Sequence, residues 1–359
     1  MSWLERLGIA RPVVQAPMAG VSTPELAAAV SNARGLGSIG LAGTGASAAW
    51  SMIEGTRALT AEAFNVNVFV HRAPIEDPVR EAAWLAEMRP LFEEFGAATP
   101  AALSTLFGTF AEDDDLLDVL VEAAPPVVSF HLGLPDAARI AALRAAGCVL
   151  LVSVTSTAEG ELAQEAGVDA VVAQGSGAGG HRGVFSVDAS DDMLDTVTLT
   201  RLLLERLDLP VIAACGVMDG HEVRSMMGLG ATAVQMGTAF VACPESSADD
   251  AFRAALSGPG SEHTTMTTAI SGRPARCVAN RFTAWAAAHA LTPPEFPRAF
   301  DASRALNAAA RACGDPGFGA HWAGQGASRH RPMPAGALVD LLEEERTSGE
   351  SCMGHPASH

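Results

Sequence analysis

The chain has 359 residues, of which 48% are hydrophobic, and its formal net charge is −18. This acidic excess repels nucleic-acid phosphates and anionic membrane surfaces, so we expect a small-molecule partner, no nucleic acid and no membrane. The length exceeds that of most single domains but suits an α/β barrel with an insertion. The six cysteines show no CxxC spacing. Neither a secretory signal nor an apolar run of about 18 residues is present, so the sequence predicts a cytoplasmic protein with reduced thiols.

Short apolar runs alternate with amphipathic, alanine-rich stretches through the first two thirds of the chain. This alternation is typical of βα units. The first three predicted strands cover residues 12–18, 36–41 and 64–70, and a helix is predicted over residues 46–59. In the third strand, Asn65 and Asn67 fall on one face because side chains alternate along a strand.

The alternation stops after His71, where a stretch rich in alanine and acidic residues begins. This stretch predicts three helices, over residues 77–95, 100–110 and 113–124. An insertion at the end of a strand would lie over the mouth of a barrel, so we predict that these helices belong to a cap over the substrate.

The βα alternation then resumes and brings the number of predicted units to eight, which indicates a (β/α)8 TIM barrel. The later strands are predicted over residues 126–133, 148–155, 170–174, 210–216 and 233–241, and the helices between them over 136–146, 158–166, 192–207 and 220–227. Residues 259–317 predict short helices, at 282–290 and 298–313, mixed with loops, and a final helix is predicted over 334–345.

These patterns predict three parts. Residues 1–71 and 125–258 form the barrel, to which residues 318–347 return. Residues 72–124 and 259–317 form a helical cap, and residues 348–359 form a disordered tail.

The functional residues of such a barrel lie where strands end. Gly216 ends the seventh predicted strand, and Gly237 and Thr238 lie in the eighth, where barrels bind phosphate with loop amides. A purely structural role in closing tight turns would explain Gly216 alone or Gly237 alone. It explains less well why glycines stand at both of these neighbouring strand ends. Asn67 and Gln174 carry amides that both donate and accept, as the edge of a flavin ring requires, although each amide alone is more often structural.

A glycine-rich loop follows the sixth predicted strand and contains His181. Its glycines allow the backbone to approach a ligand closely, and a histidine can take up a proton near neutral pH. The loop is either a cofactor-facing site with His181 as base or a flexible surface turn. His131, at the end of the fourth predicted strand, is either a second catalytic imidazole or a residue that orients substrate. No metal site is predicted, because no carboxylate stands at a matching strand end.

Seven motifs in this order resemble those of class I nitronate monooxygenases, formerly called 2-nitropropane dioxygenases. This family lies within a wider FMN-dependent group that also contains flavin enoyl-acyl-carrier-protein reductases. The motifs cover residues 15–20 (QAPMAG), 64–67 (FNVN), 129–135 (SFHLGLP), 173–175 with 178–183 (AQG and AGGHRG), 235–238 (QMGT), 271–276 (SGRPAR) and 322–326 (WAGQG).

The resemblance implies FMN bound without a covalent link at the barrel mouth and His181 as catalytic base, with His131 beside it. It also implies oxidation of a nitronate or related carbanion by O2 to a carbonyl compound and nitrite, without NAD(P)H, and a homodimer is common among related proteins. The cofactor contacts that it implies are Ala16, Pro17, Met18, Asn67, Gln174, Gly179, Gly180, Gly216, Gln235, Met236, Gly237 and Thr238.

Two departures from the family pattern bear on the substrate. Gly177 stands where the family usually has Glu, and the chain contains no tyrosine. Phe296 and Phe300 then provide aromatic bulk without a hydroxyl, which predicts a more apolar substrate pocket. Two alternatives stay open, an NAD(P)H-dependent enoyl reductase-like enzyme and a specialised biosynthetic or non-catalytic flavoprotein.

Overall fold

Eight parallel strands form a closed barrel, as predicted. The structure is a computed structural model, and it describes residues 3–289 and 292–348. The strands of the described residues are β1 (Val13–Gln15), β2 (Gly37–Gly40), β3 (Phe64–Phe69), β4 (Val127–His131), β5 (Val149–Val154), β6 (Ala170–Gln174), β7 (Gly180–His181), β8 (Val211–Ala214), β9 (Ala233–Met236), β10 (Thr264–Thr267) and β11 (Ala275–Val278). The barrel strands follow the order β1-β9-β8-β6-β5-β4-β3-β2, and β7, β10 and β11 form a separate small sheet.

Two backbone hydrogen bonds close the circle between β2 and β1. The amide of Gln15 donates to the carbonyl of Leu36, and the amide of Leu36 donates to the carbonyl of Val13, both at 2.9 Å. The carboxyl ends of all eight strands therefore meet at one mouth.

Helices surround the barrel, and none of those in the described residues is long and apolar enough to cross a membrane. They are α1 (Trp3–Arg6), α2 (Pro24–Asn32), α3 (Ala46–Leu59), α4 (Pro78–Glu94), α5 (Asp114–Ala123), α6 (Ala137–Ala145), α7 (Thr157–Ala166), α8 (Thr196–Arg206), α9 (Gly220–Gly228), α10 (Thr238–Val241), α11 (Asp250–Ser257), α12 (Arg281–Ala288), α13 (Arg298–Ala312) and α14 (Ala335–Thr347).

Successive residues of the strands pack on opposite sides of the barrel wall. In β5, Leu151 lies in the interior cluster, whereas Leu150 and Val152 lie in the layer between the strands and the helices. Trp3 and Ile9 join the interior cluster beside residues that begin several strands. The amino-terminal end of the barrel is therefore filled, and a ligand site can open only at the carboxyl ends.

Three predicted elements differ from the structure. The helix predicted over residues 100–110 is wrong, because this segment is irregular and tied to the cap, where Asp301 accepts from the amide of Ser104 at 2.8 Å. The eighth strand ends at Met236 rather than at residue 241, because the chain turns at Gly237 into α10. The mixture of helices and loops predicted for residues 259–317 also contains the hairpin of β10 and β11, whose threonines and valine favour strands.

Two helices of the predicted cap pack differently. In α4, Trp84, Met88 and Phe92 join a cluster with residues of α13. Helix α5 instead packs against α3 and α6 of the barrel. The division into barrel and cap stays a prediction, and this packing argues for assigning residues 114–123 to the barrel. The predicted tail, except Ser348, lies outside the described residues.

Candidate active site

A cavity of about 530 Å³ opens at the carboxyl ends of the barrel strands. This size falls in the range of small-molecule and cofactor sites. Every residue predicted for the site lines it, namely His131, His181, Ala16, Pro17, Met18, Asn67, Gln174, Gly179, Gly180, Gly216, Gln235, Met236, Gly237, Thr238, Phe296 and Phe300. The structure thus brings the predicted residues together, while their chemical roles stay predictions.

The glycine-rich loop is held firmly at His181. Gly180 and His181 form β7, which pairs with β11. The carbonyl oxygen of His181 accepts two hydrogen bonds, from Nε2 of Gln174 at 2.9 Å and from Nε2 of His131 at 3.1 Å. Oε1 of Gln174 accepts from the amide of Gly183 at 2.7 Å. These hydrogen bonds favour the cofactor-facing site over the flexible surface turn as the interpretation of this loop. Through them, Gln174 and His131 hold the backbone at His181 in position.

The tautomer of His131 follows from this contact. A carbonyl oxygen can only accept, so Nε2 of His131 carries the proton. Burial, partly offset by this hydrogen bond and reinforced by the nearby charge of Arg273, lowers the pKa of His131 to about 4. His131 is therefore neutral at pH 7.

Aromatic rings and a serine fix the imidazole of His181. The ring lies 5.1 Å from the ring of Phe296 and 5.2 Å from that of Trp322, centroid to centroid. Its Nε2 lies 3.0 Å from Oγ of Ser271. That hydroxyl donates to the carbonyl of Arg273 at 3.2 Å, so we infer that it accepts from Nε2–H.

This assignment leaves Nδ1 of His181 as the atom with a free lone pair. Nδ1 has no hydrogen-bond partner among the described residues and is accessible from the cavity. Burial, with smaller effects of His131 and Arg273, lowers the pKa of His181 to about 3. At pH 7 the ring is neutral, and Nδ1 can accept a proton or a hydrogen bond.

Two other amide side chains present unpartnered groups to the cavity. Nδ2 of Asn67 donates to the carbonyl and the hydroxyl of Ser129 at 3.0 and 2.9 Å, and Oδ1 of Asn67 makes no hydrogen bond within the described residues. Gln235 lines the cavity, and its side chain makes no hydrogen bond within the described residues. The side-chain amide of Gln174, in contrast, makes its hydrogen bonds to the backbone of the loop, at His181 and Gly183.

The mouth also carries free backbone N–H groups near the ends of β8 and β9. Those of Gly216, Gly237 and Thr238 have no acceptor within the described part of the chain. Gly216 has a φ of +69° and Cys215 one of +131°, so the backbone turns sharply there. Such converging N–H groups form an anion site without a lysine.

A buried hydrogen-bond network shapes the first strand-end loop. The hydroxyl of Ser22 accepts from Nε2 of Gln15 at 2.9 Å and from the amide of Met18 at 3.0 Å. Oε1 of Gln15 accepts from the amide of Ser38 at 2.8 Å. The network holds residues 16–18 at the cavity edge.

The space beside Gly177 is already filled. A Cβ at Gly177 would lie 2.3 Å from Oε1 of Gln325 and 3.0 Å from Sγ of Cys215. Gln325 therefore occupies the volume that a glutamate would take at this position, which gives a physical reason for the departure from the family pattern.

Sequence reasoning missed three residues of the site. Ser271 and Trp322 contact His181, and Ser22 shapes the first loop together with Gln15. All but Ser22 fall within the recognised motifs, but no local pattern shows that Ser271 reaches a residue 90 positions away in the sequence.

Comparison with known proteins identifies the family. A family model described as nitronate monooxygenase matches residues 2–345. The chain belongs to the nitronate monooxygenase family.

Two curated relatives with that name cover nearly the whole chain. The nitronate monooxygenase of Paraburkholderia phytofirmans is 53% identical over 343 residues, which cover 95% of this chain and 94% of that protein. The nitronate monooxygenase of Pseudomonas aeruginosa is 51% identical over 340 residues, which cover 94% of this chain and 97% of that protein.

A solved structure supports the same grouping. The nitroalkane oxidase of Streptomyces ansochromogenes matches this fold with a TM-score of 0.90 and 36% identity, and the match covers 98% of this chain and 100% of that chain. The predicted resemblance and the TIM barrel are confirmed. The protein is an oxidoreductase of a flavin-dependent family, and the enoyl-reductase alternative is not favoured.

Proposed function

We propose that this protein binds FMN and uses O2 to oxidise nitronates to carbonyl compounds and nitrite. Two nitronates and one O2 then give two carbonyl compounds and two nitrite ions, so atoms and charge balance. The observation that carries the proposal is Nδ1 of His181, which has no hydrogen-bond partner within the described residues and faces a cavity lined by amide side chains and free backbone N–H groups.

The polar groups that line the cavity suit the phosphate and the ring of FMN. The free N–H groups of Gly216, Gly237 and Thr238 would hold its phosphate, while Oδ1 of Asn67 and the amide of Gln235 would contact the polar edge of its ring. When bound, FMN supplies the chemistry that takes electrons from the nitronate and passes them to O2.

The substrate end of the cavity is apolar and lies beside His181. Phe296 and Phe300 line it, and we propose that they pack on the carbon skeleton of the substrate and exclude water. Nδ1 of His181 would accept a proton from a neutral nitro compound. Its lowered pKa makes it a weak base, which favours a preformed nitronate, since the anion needs no deprotonation.

His131 would act through His181 rather than on the substrate. Its Nε2–H is occupied by the carbonyl of His181, so we propose that it is a positioning residue. We further propose that the protein is cytoplasmic and that its partners are the substrate and O2. A homodimer stays a prediction from the family resemblance.

The test is anaerobic reduction of the FMN-loaded protein by propyl-2-nitronate, 2-nitropropane, NADH and NADPH, each mixed separately. We expect the nitronate to bleach the flavin and the nicotinamides to leave it oxidised. A protein that cannot be loaded with FMN would contradict the cofactor proposal. Rapid bleaching by NADH or NADPH with none by the nitronate would favour a reductase.

A variant of His181 separates its role from cofactor binding. His181→Asn should retain FMN and lose reduction by neutral 2-nitropropane more than reduction by the nitronate, because only the neutral compound needs a base. Unchanged reduction by both compounds would remove His181 from the mechanism.

A further inference from the structure

Arg273 is a buried cation that lacks a carboxylate partner. Its side chain donates to the carbonyl of Val184, while its Nε has no partner, and the residue is only 5% exposed. Three other buried arginines are paired, Arg139 with Asp114, Arg182 with Asp191 and Arg298 with Glu81. Arg276, which is also buried, bonds to Ser176 and Thr264 instead. Among the described residues, Arg273 makes no ion pair. Burying an unpaired charge is costly, so a counter-charge is expected from elsewhere.

The backbone of Arg273 is bonded to the residue that contacts His181. Its amide and carbonyl both bond to the hydroxyl of Ser271, which contacts His181. The guanidinium reaches Val184, three residues after His181 in the chain. The positive charge therefore lies close to the loop that carries His181, although Arg273 does not itself line the cavity.

One carboxylate lies within electrostatic range of Arg273 but makes no ion pair with it. Glu159, on α7, attracts Arg273, while its oxygens accept hydrogen bonds from Thr155 and from the amide of Phe185. These donors are neutral and leave the charge of Glu159 in place. His71 has no partner for either ring nitrogen, and its ring packs 4.9 Å from that of Phe296.

The other charges around Arg273 are already paired or neutral. Arg72 pairs with Asp188 and Glu295 on the surface. Nearby imidazoles, including His131 and His181, are neutral at pH 7. The positive charge of Arg273 nevertheless acts on the site, because it contributes to the lowered pKa of His71, His131 and His181.

We propose that Arg273 is a specificity-determining residue that selects anionic ligands, because its positive charge acts on the cavity across Ser271 and His181. The field of Arg273 favours the anion over the neutral nitro compound with the same carbon skeleton. This inference rests on the proposed function for its substrate, but the attraction of a small planar anion does not depend on turnover.

The experiment measures binding of nitrate, a planar monoanion, to the FMN-loaded protein by calorimetry and by the change in flavin absorbance. Arg273→Gln removes the charge and keeps a donor for Val184, and it should weaken nitrate binding about tenfold. Arg72→Gln removes the same formal charge from an exposed, paired position and should change the affinity by less than about twofold. In Arg273→Gln, the kcat/KM for propyl-2-nitronate divided by the kcat/KM for 2-nitropropane should fall together with the affinity for nitrate.

Arg273→Lys keeps the test decisive if Arg273→Gln does not fold. Burial lowers the pKa of a lysine, so nitrate affinity in Arg273→Lys should fall as the pH rises from 7 to 9, while that of the wild type stays constant. Equal nitrate affinity in the wild type and Arg273→Gln, or no pH dependence in Arg273→Lys, would overturn the proposal. Nitrate binding without nitronate turnover in the wild type would instead refute the proposed function alone.

Discussion

The hydroxyl of Ser271 lies 3.0 Å from Nε2 of His181 and ties the proposed base to the turn that carries Arg273. Because this hydroxyl donates to the carbonyl of Arg273, it holds the Nε2–H tautomer and directs the lone pair of Nδ1 to the cavity. The contact therefore sets both the protonated nitrogen and the orientation of the ring.

Removing this hydroxyl should weaken catalysis without removing the flavin. We expect Ser271→Ala to lower kcat with 2-nitropropane about tenfold at nearly constant KM, because the neutral ring loses its preferred tautomer. Ser271→Thr should recover most of the rate. Ser257→Ala, at an exposed serine, serves as control, and an equal rate in Ser271→Ala and wild type would rule out this role.

Loss of the His131 donor should disturb the loop rather than the chemistry. We expect His131→Phe to lower the free energy of unfolding by about 1 kcal/mol, since the carbonyl of His181 loses one of its two donors. The rate of flavin reduction should fall while its pH profile keeps its shape. A changed pH profile would indicate that His131 takes part in proton transfer itself.

Acid should destabilise the protein through its buried histidines. Burial lowers the pKa of His71 from 6.5 to about 4, so the unfolded chain binds this proton first as the pH falls. The contribution of neutral His71 to the free energy of unfolding is complete above pH 6.5, and it is lost as the pH falls from 6.5 towards 4. For His71 alone this amounts to roughly 2 kcal/mol between about pH 7 and about pH 5.

Replacing His71 tests this loss directly. His71→Phe should fit among the rings of Phe107 and Phe296 and should reduce the loss of stability in urea unfolding between pH 7 and pH 5. His221→Asn, at an exposed histidine, is the control. The same acid sensitivity in wild type and His71→Phe would show that His71 is not the group responsible.

Two glycines of the loop should respond differently to a methyl group. A Cβ at Gly179 would lie 2.5 Å from the backbone nitrogen of Gly324, whereas one at Gly177 meets mainly the movable side chain of Gln325. We expect Gly179→Ala to destabilise the protein by about 1–3 kcal/mol and to reduce FMN affinity. Gly177→Ala should cost less than about 1 kcal/mol. Thermal unfolding and fluorescence titration with FMN measure both effects, and equal losses in the two variants would contradict this packing.

The sequence by itself determined the barrel and most of the site. Each strand is a short apolar run that is buried on both faces, so its position can be read locally. The carboxyl ends of parallel strands meet by geometry, which is why His181, Asn67 and Gly237 could be grouped before any contact was known. Helix α3 begins and ends where the pattern predicts it.

Only the tertiary structure decided how these groups are bonded and charged. Ser271 and Trp322 contact His181 from distant parts of the chain, and Arg273 acts on it through its charge. No local period in the sequence records such interactions. The pKa of His181 depends on burial by surrounding elements, and the tautomer depends on a hydroxyl that points at a carbonyl. The irregular segment at residues 100–110 likewise follows from cap contacts that override helix propensity. Hydrophobic periodicity is local, whereas hydrogen bonding and electrostatics depend on distance in space.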